Sequence, residues 1–89
     1  MTIHLFITGD VTGVGYRTWM KQEADSLGVF GWVRNKDRGV VEAVIQADAD
    51  KLEKIIDLCK KGPETSWVKN VAVNSVSTSK IYSEFTILI

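Results

Sequence analysis

Residues 9 to 17 read GDVTGVGYR, a segment whose residue types suit anion binding by backbone groups. Gly9, Gly13 and Gly15 admit positive φ and close backbone approach, so successive N–H groups can turn toward one point. A helix opening near Tyr16 and Arg17 would add its own free N–H groups and a partial positive charge of roughly half a unit. Arg17 supplies a planar guanidinium that can donate two parallel hydrogen bonds to phosphate oxygens. A cation at a helix start opposes the dipole, at a cost of about 0.3 to 1 kcal/mol unless an anion lies between them. The segment lacks the G-x-G-x-x-G spacing and the lysine of a nucleotide-binding loop. On pattern alone it fits an anion site and a structural turn equally.

The elements around this segment can be read from hydrophobic period. TIHLFIT at 2 to 8 alternates Ile3, Leu5 and Ile7 on one face, which predicts a strand. Tyr16, Met20, Ala24 and Leu27 share one helical face, and Gly28 follows as a stop. VFGWVRN at 29 to 35 and GVVEAVIQA at 39 to 47 predict two strands joined by a hairpin link at Lys36, Asp37 and Arg38. Asp50 with Glu53 resembles a capping box, and Leu52, Ile55, Ile56 and Cys59 form the stripe of a second helix before Gly62 and Pro63. Residues 68 to 76 predict a further strand, and SEFTILI alternates Phe85, Ile87 and Ile89 as a closing β segment.

The order βαββαβ, with an extra C-terminal β segment, predicts an α+β, ferredoxin-like split βαβ fold: an antiparallel sheet with strand three between strands one and two, and both helices on one face. Strands one and two then run parallel, so residues 9 to 17 and Asn35 should emerge at the same edge of the sheet. Asn35 shares its alternation with Val29, Gly31 and Val33. With no intervening bulge, its amide faces the helices whenever Val33 does.

GDVTGVGYR resembles the acylphosphatase signature G-x-V-Q-G-V-G-F-R, and GWVRNKDRGVVEAVIQ at 31 to 46 resembles that family's second block, G-W-V-x-N, a short turn and G-x-V-E. The resemblance extends more loosely through the second helix and the Gly62, Pro63 element to Phe85 and Ile87. It implies hydrolysis of acyl phosphates to carboxylate and inorganic phosphate by direct water attack, without a metal, cofactor or covalent intermediate. It also implies Arg17 as a catalytic arginine and Asn35 as the residue orienting water. The implied phosphate cradle is formed by the backbone amides of Val11, Thr12, Gly13, Val14, Gly15 and Tyr16. A carboxylate leaves easily, so positioning and charge stabilisation suffice. An amide is no base at neutral pH, so the water proton passes to the substrate phosphate.

The chain departs from the signature at Thr12, where glutamine is usual, and at Tyr16, where phenylalanine is usual. Asp10 stands where the family often has a basic residue. At about 8 Å and an effective dielectric near 40 its charge costs roughly 1 kcal/mol of phosphate binding, about fivefold. Lys36 and Arg38, on the neighbouring turn, are expected to offset it.

Composition narrows the remaining classes. Eighty-nine residues, 45% hydrophobic with one proline, suit a single folded domain spanning 1–89 rather than a disordered tail. Eleven basic and eleven acidic residues leave no net field for nucleic acid or an anionic membrane. No apolar run approaches the roughly 20 residues of a membrane span, and no export pattern opens the chain, so a cytoplasmic monomer acting on a small molecule is expected. The lone Cys59 reads as a core residue. His4 has no acidic or cysteine neighbour in sequence to suggest a metal site. Asp37, Glu42, Asp48 and Asp50 read as turn, exposed-strand and capping residues. Trp19, Trp32 and Trp67 read as packing or sheet-face coverage rather than a base-stacking platform. Two rivals are a phosphate-binding ferredoxin-like module with little turnover and an acylphosphatase-like domain of a larger carbamoyl-phosphate-processing protein.

Overall fold

The computed structural model describes residues 1–88; the expected role of Ile89 in the closing segment lies outside them. The chain runs β1 (Thr2–Asp10), α1 (Tyr16–Leu27), β2 (Phe30–Lys36), a 3-10 turn (Asp37–Gly39), β3 (Val40–Gln46), α2 (Ala49–Lys61), β4 (Trp67–Val76) and β5 (Phe85–Ile87). The sheet order is β4-β1-β3-β2-β5. β3 lies between β1 and β2, as the split βαβ reading requires. β1 pairs antiparallel with β3 and β4, and β2 antiparallel with β3, whereas β5 pairs parallel to β2. The antiparallel sheet expected from the sequence is therefore a mixed one, extended by its closing segment.

The strand alternation decides what the helices cover. Leu5, Ile7, Val33, Val41, Ala43 and Ile45 are fully buried and meet Tyr16, Met20 and Ala24 of α1 and Leu52, Ile55 and Cys59 of α2 in one core. Burying one such aliphatic side chain stabilises by about 1.5 to 3 kcal/mol, so this layer holds the helices to the sheet. Glu42 and Val44, on the other face of β3, are also buried. In the register, Phe6 and Arg34 flank Glu42, and His4 and Trp32 flank Val44, long side chains on either side of the central strand. Glu42 is thus no exposed-strand residue. Its carboxylate sits between His4 Nε2 at 2.7 Å and Arg34 Nε at 2.6 Å, a partner for His4 brought from 38 residues away.

The helix ends differ in a way that matters for the site. α2 begins on Asp48, whose carboxylate accepts from the Lys51 N–H at 3.0 Å, so Asp48 is the cap and Asp50 lies in the first turn. With Lys60 and Lys61 in its last turn, α2 has acid at its positive end and base at its negative end. α1 has no such complement: Gly15 precedes it, no side chain caps it and no acid occupies its first turn. At its far end, Gly28 donates to the Ala24 and Asp25 carbonyls from a left-handed backbone, the expected stop.

Candidate active site

The segment between β1 and α1 follows a bulge at Gly9, beyond which β1 stays paired with β4 to Asp10. The β1–β4 register shifts between Thr8 and Gly9, and a Cβ on Gly9 would lie 2.2 Å from the Trp67 carbonyl oxygen. Only glycine lets the two backbones approach so closely there. Beyond it, Val11 and Tyr16 are buried and Val14 packs against the core, while Gly13 and Gly15 are exposed at φ +73° and +82°. Cβ atoms on Gly13 or Gly15 would meet nothing within 4 Å, so the crest of the loop faces open space. Apolar side chains therefore pin the loop from below and leave its backbone uncovered above.

Among the described residues, the hydrogen bonds from this loop to the rest of the chain engage its carbonyls. Gly15 C=O accepts from the Trp19 N–H at 3.0 Å, and Val14 C=O accepts from the Thr65 hydroxyl at 2.8 Å. No N–H from Val11 to Tyr16 is the donor in either of these bonds. Arg17, in the first turn of α1, is half-buried and has no carboxylate within ion-pair distance among the described residues.

Asn35 stands opposite Val41 on β3, and Val41 stands opposite Ile7 on β1. Directly paired residues share a face of the sheet. The β2–β3 register is unbroken from Phe30 to Lys36, so Asn35 lies on the helix-covered face with Val33, at the end of β2, where it is exposed. The same row ends on Ile7, three residues before Asp10 and the loop. The strand ends thus bring the loop, the start of α1 and Asn35 to one edge. Thr12 reaches across to the turn that follows Asn35: its hydroxyl would lie 3.9 Å from a Cβ on Gly39.

Lys36, one residue further, projects to the opposite face, with its ammonium 5.2 Å from the centre of the Phe6 ring. Asp10 itself is exposed at the end of β1.

Tyr16 anchors the loop more firmly than a phenylalanine could. Its hydroxyl donates to the Cys59 carbonyl at 2.8 Å, and burial and the neighbouring Cys59 push the phenol far above its usual range, so it stays neutral. Burial likewise pushes the Cys59 thiol up to about 12, which keeps it protonated and unreactive. The tryptophans divide: Trp19 packs against the core, Trp32 carries the Arg34 guanidinium at 5.2 Å on the open face, and Trp67 is 63% exposed. Thr65 is the contact with the loop that sequence reasoning missed. It is a polar residue in an exposed turn 51 positions from Val14, and no local pattern marks it.

The sequence model of the acylphosphatase family matches residues 3–87. The chain is 49% identical over 70 residues to a Thermococcus kodakarensis acylphosphatase, covering 79% of this chain and 77% of that one. It is 38% identical over 84 residues to one from Bordetella parapertussis, covering 94% and 89%. The crystal structure of acylphosphatase from Bacillus subtilis superposes with a TM-score of 0.94 at 28% identity, over 99% of this chain and 98% of the other.

Proposed function

The chain belongs to the acylphosphatase family, and from that membership we propose how it carries out the family's reaction, hydrolysis of an acyl phosphate to a carboxylate and inorganic phosphate. The amides of Val11, Thr12, Gly13, Val14, Gly15 and Tyr16 and the guanidinium of Arg17 bind the phosphoryl oxygens. Asn35 holds a water in line with the bond to the leaving carboxylate. The water oxygen forms the new bond to phosphorus, the bond to the acyl oxygen breaks, and the carboxylate leaves with the electron pair. The water proton goes to a phosphoryl oxygen, because the Asn35 amide cannot take it. The protein's part is positioning together with charge stabilisation as the transition state spreads charge over the phosphoryl oxygens.

The observation that carries this reading is the start of α1, an uncapped, acid-free helix end with Arg17 in its first turn. An arginine beside the positive pole of a helix is unfavourable in the free protein and becomes favourable once a dianion sits between them. The contrast with the fully complemented α2 shows that the chain does place acids at helix starts elsewhere.

The same reading takes residues 1–89 as one catalytic unit, a monomer in the cytoplasm that needs no metal. No helix among the described residues is long and apolar enough to cross a membrane. The test is benzoyl phosphate hydrolysis with EDTA present, comparing the protein with Arg17→Ala and Asn35→Ala. Each substitution is expected to lower kcat by about 100-fold or more, in the range for removing one transition-state donor. Turnover insensitive to both would sink the assignment, and phosphate binding without hydrolysis would establish a binding module instead.

A further inference from the structure

We propose that Thr65 is a positioning residue of the phosphate cradle, fixing the Val14–Gly15 peptide so that the Gly15 N–H faces the substrate phosphate. The inference rests on the cradle assigned above and extends it to a residue outside both sequence motifs. Thr65 Oγ1 donates to the Val14 carbonyl at 2.8 Å, joining the turn after α2 to the middle of the loop. In a trans peptide the C=O and the following N–H point in opposite directions across a rigid plane. A donor that holds the Val14 carbonyl toward the turn therefore holds the Gly15 N–H away from it, toward the open side of the loop.

The donor is itself held in place. Ser66 N–H and Ser66 Oγ both reach the Pro63 carbonyl, at 2.9 and 2.8 Å, closing a turn in which Thr65 is the third residue. Pro63 is the first residue of that turn, and Glu64 and Thr65 are its two central residues. The peptide needs such a hold from outside. Gly13 and Gly15 flank Val14 with positive φ and with nothing within 4 Å of a Cβ, so no side chain of theirs restricts the plane's rotation. The packing of Val14 against the core fixes the Val14 side chain but leaves the orientation of the next peptide open. Thr65 is exposed, so what it offers the loop among the described residues is a hydrogen bond rather than buried surface.

Thr65→Val removes the donor at constant shape, and Thr65→Ser keeps it. Benzoyl phosphate kinetics and competitive inhibition by inorganic phosphate would be measured for both variants and for Arg17→Ala, with urea denaturation alongside. An exposed hydrogen bond worth about 0.5 to 1.5 kcal/mol corresponds to roughly 2- to 12-fold. Thr65→Val should therefore weaken phosphate inhibition and lower kcat/KM by about 3- to 10-fold at temperatures where it is fully folded. Thr65→Ser should recover both to within about twofold, a rescue that lost packing would not produce. An unchanged phosphate inhibition constant in Thr65→Val, with activity lost in Arg17→Ala, overturns the inference and leaves the cradle standing. No change in either variant overturns both.

Discussion

The Tyr16 hydroxyl donates to the carbonyl of Cys59, and the residue four places beyond Cys59 is Pro63, which has no N–H to offer that carbonyl. The end of α2 at Gly62 thus leaves an acceptor in the protein interior without a helical partner, and the first residue of α1 satisfies it. Through this bond the start of α1 and the end of α2 hold one another. Tyr16→Phe keeps the ring and deletes the donor, so a buried carbonyl loses its partner at a cost of about 1 to 3 kcal/mol. For a domain of this size each kcal/mol lowers Tm by about 4 to 8 °C. Urea and thermal denaturation of Tyr16→Phe should show that loss, and an unchanged Tm would mean the bond contributes nothing.

Glu42 predicts a pH dependence of stability. Burial pushes its carboxyl up, but hydrogen bonds from Arg34 and His4 outweigh burial and hold it below the usual glutamate value. A carboxyl depressed in the folded state binds its proton more readily in the unfolded chain. Its stabilising contribution is full above the unfolded value of about 4.3 and fades as pH falls through the lower folded value. Glu42→Gln should flatten the acid side of a stability profile below about pH 5. A profile with the same slope in both proteins would assign the acid sensitivity elsewhere.

The Glu42 cluster also marks where the sequence stops being legible. Period-two alternation in TIHLFIT and the stripe of Leu52, Ile55, Ile56 and Cys59 identify elements because burial on one face imposes them locally. The same parity placed Asn35 on the helix face, and the unbroken β2–β3 register upholds it. What escapes local pattern is a pairing between distant residues. Nothing near His4 announces Glu42, and nothing near Val14 announces Thr65, because each contact forms only when strands or turns far apart in sequence meet. The capping aspartate went astray by two residues for a simpler reason. Asp48 and Asp50 are equally good caps by type, and the choice depends on where β3 releases the chain.

Two glycines of the same segment should respond oppositely to a methyl group. Gly9→Ala forces a Cβ to 2.2 Å from the Trp67 carbonyl and adds strain at φ +127°, so backbone must move. A loss of about 2 to 5 kcal/mol follows from overpacking and strain together. At Gly15 the Cβ meets nothing within 4 Å, leaving only the cost of the left-handed backbone, about 1 to 2 kcal/mol. Urea midpoints of the two variants test the order, and equal losses would contradict it.

Asp10 offers a test of the electrostatics of the cradle. It is exposed at the last position of β1, immediately before the loop, and Lys36 is occupied at the Phe6 ring on the other face. Its carboxylate forms no ion pair with Lys36 or Arg38 among the described residues. At about 8 Å and an effective dielectric near 40, a like charge opposes a bound phosphate by roughly 1 kcal/mol, and salt shortens the reach of that repulsion. Asp10→Lys should tighten competitive inhibition by phosphate by about fivefold or more at low ionic strength. The gain should shrink toward 1 M salt, where the Debye length falls to about 3 Å. Thermal stability serves as the control, since Asp10 makes no ion pair among the described residues that the substitution would break. An inhibition constant that is unchanged at low salt would remove Asp10 from the phosphate's surroundings, and a gain that persists in high salt would point to a direct contact from the new lysine.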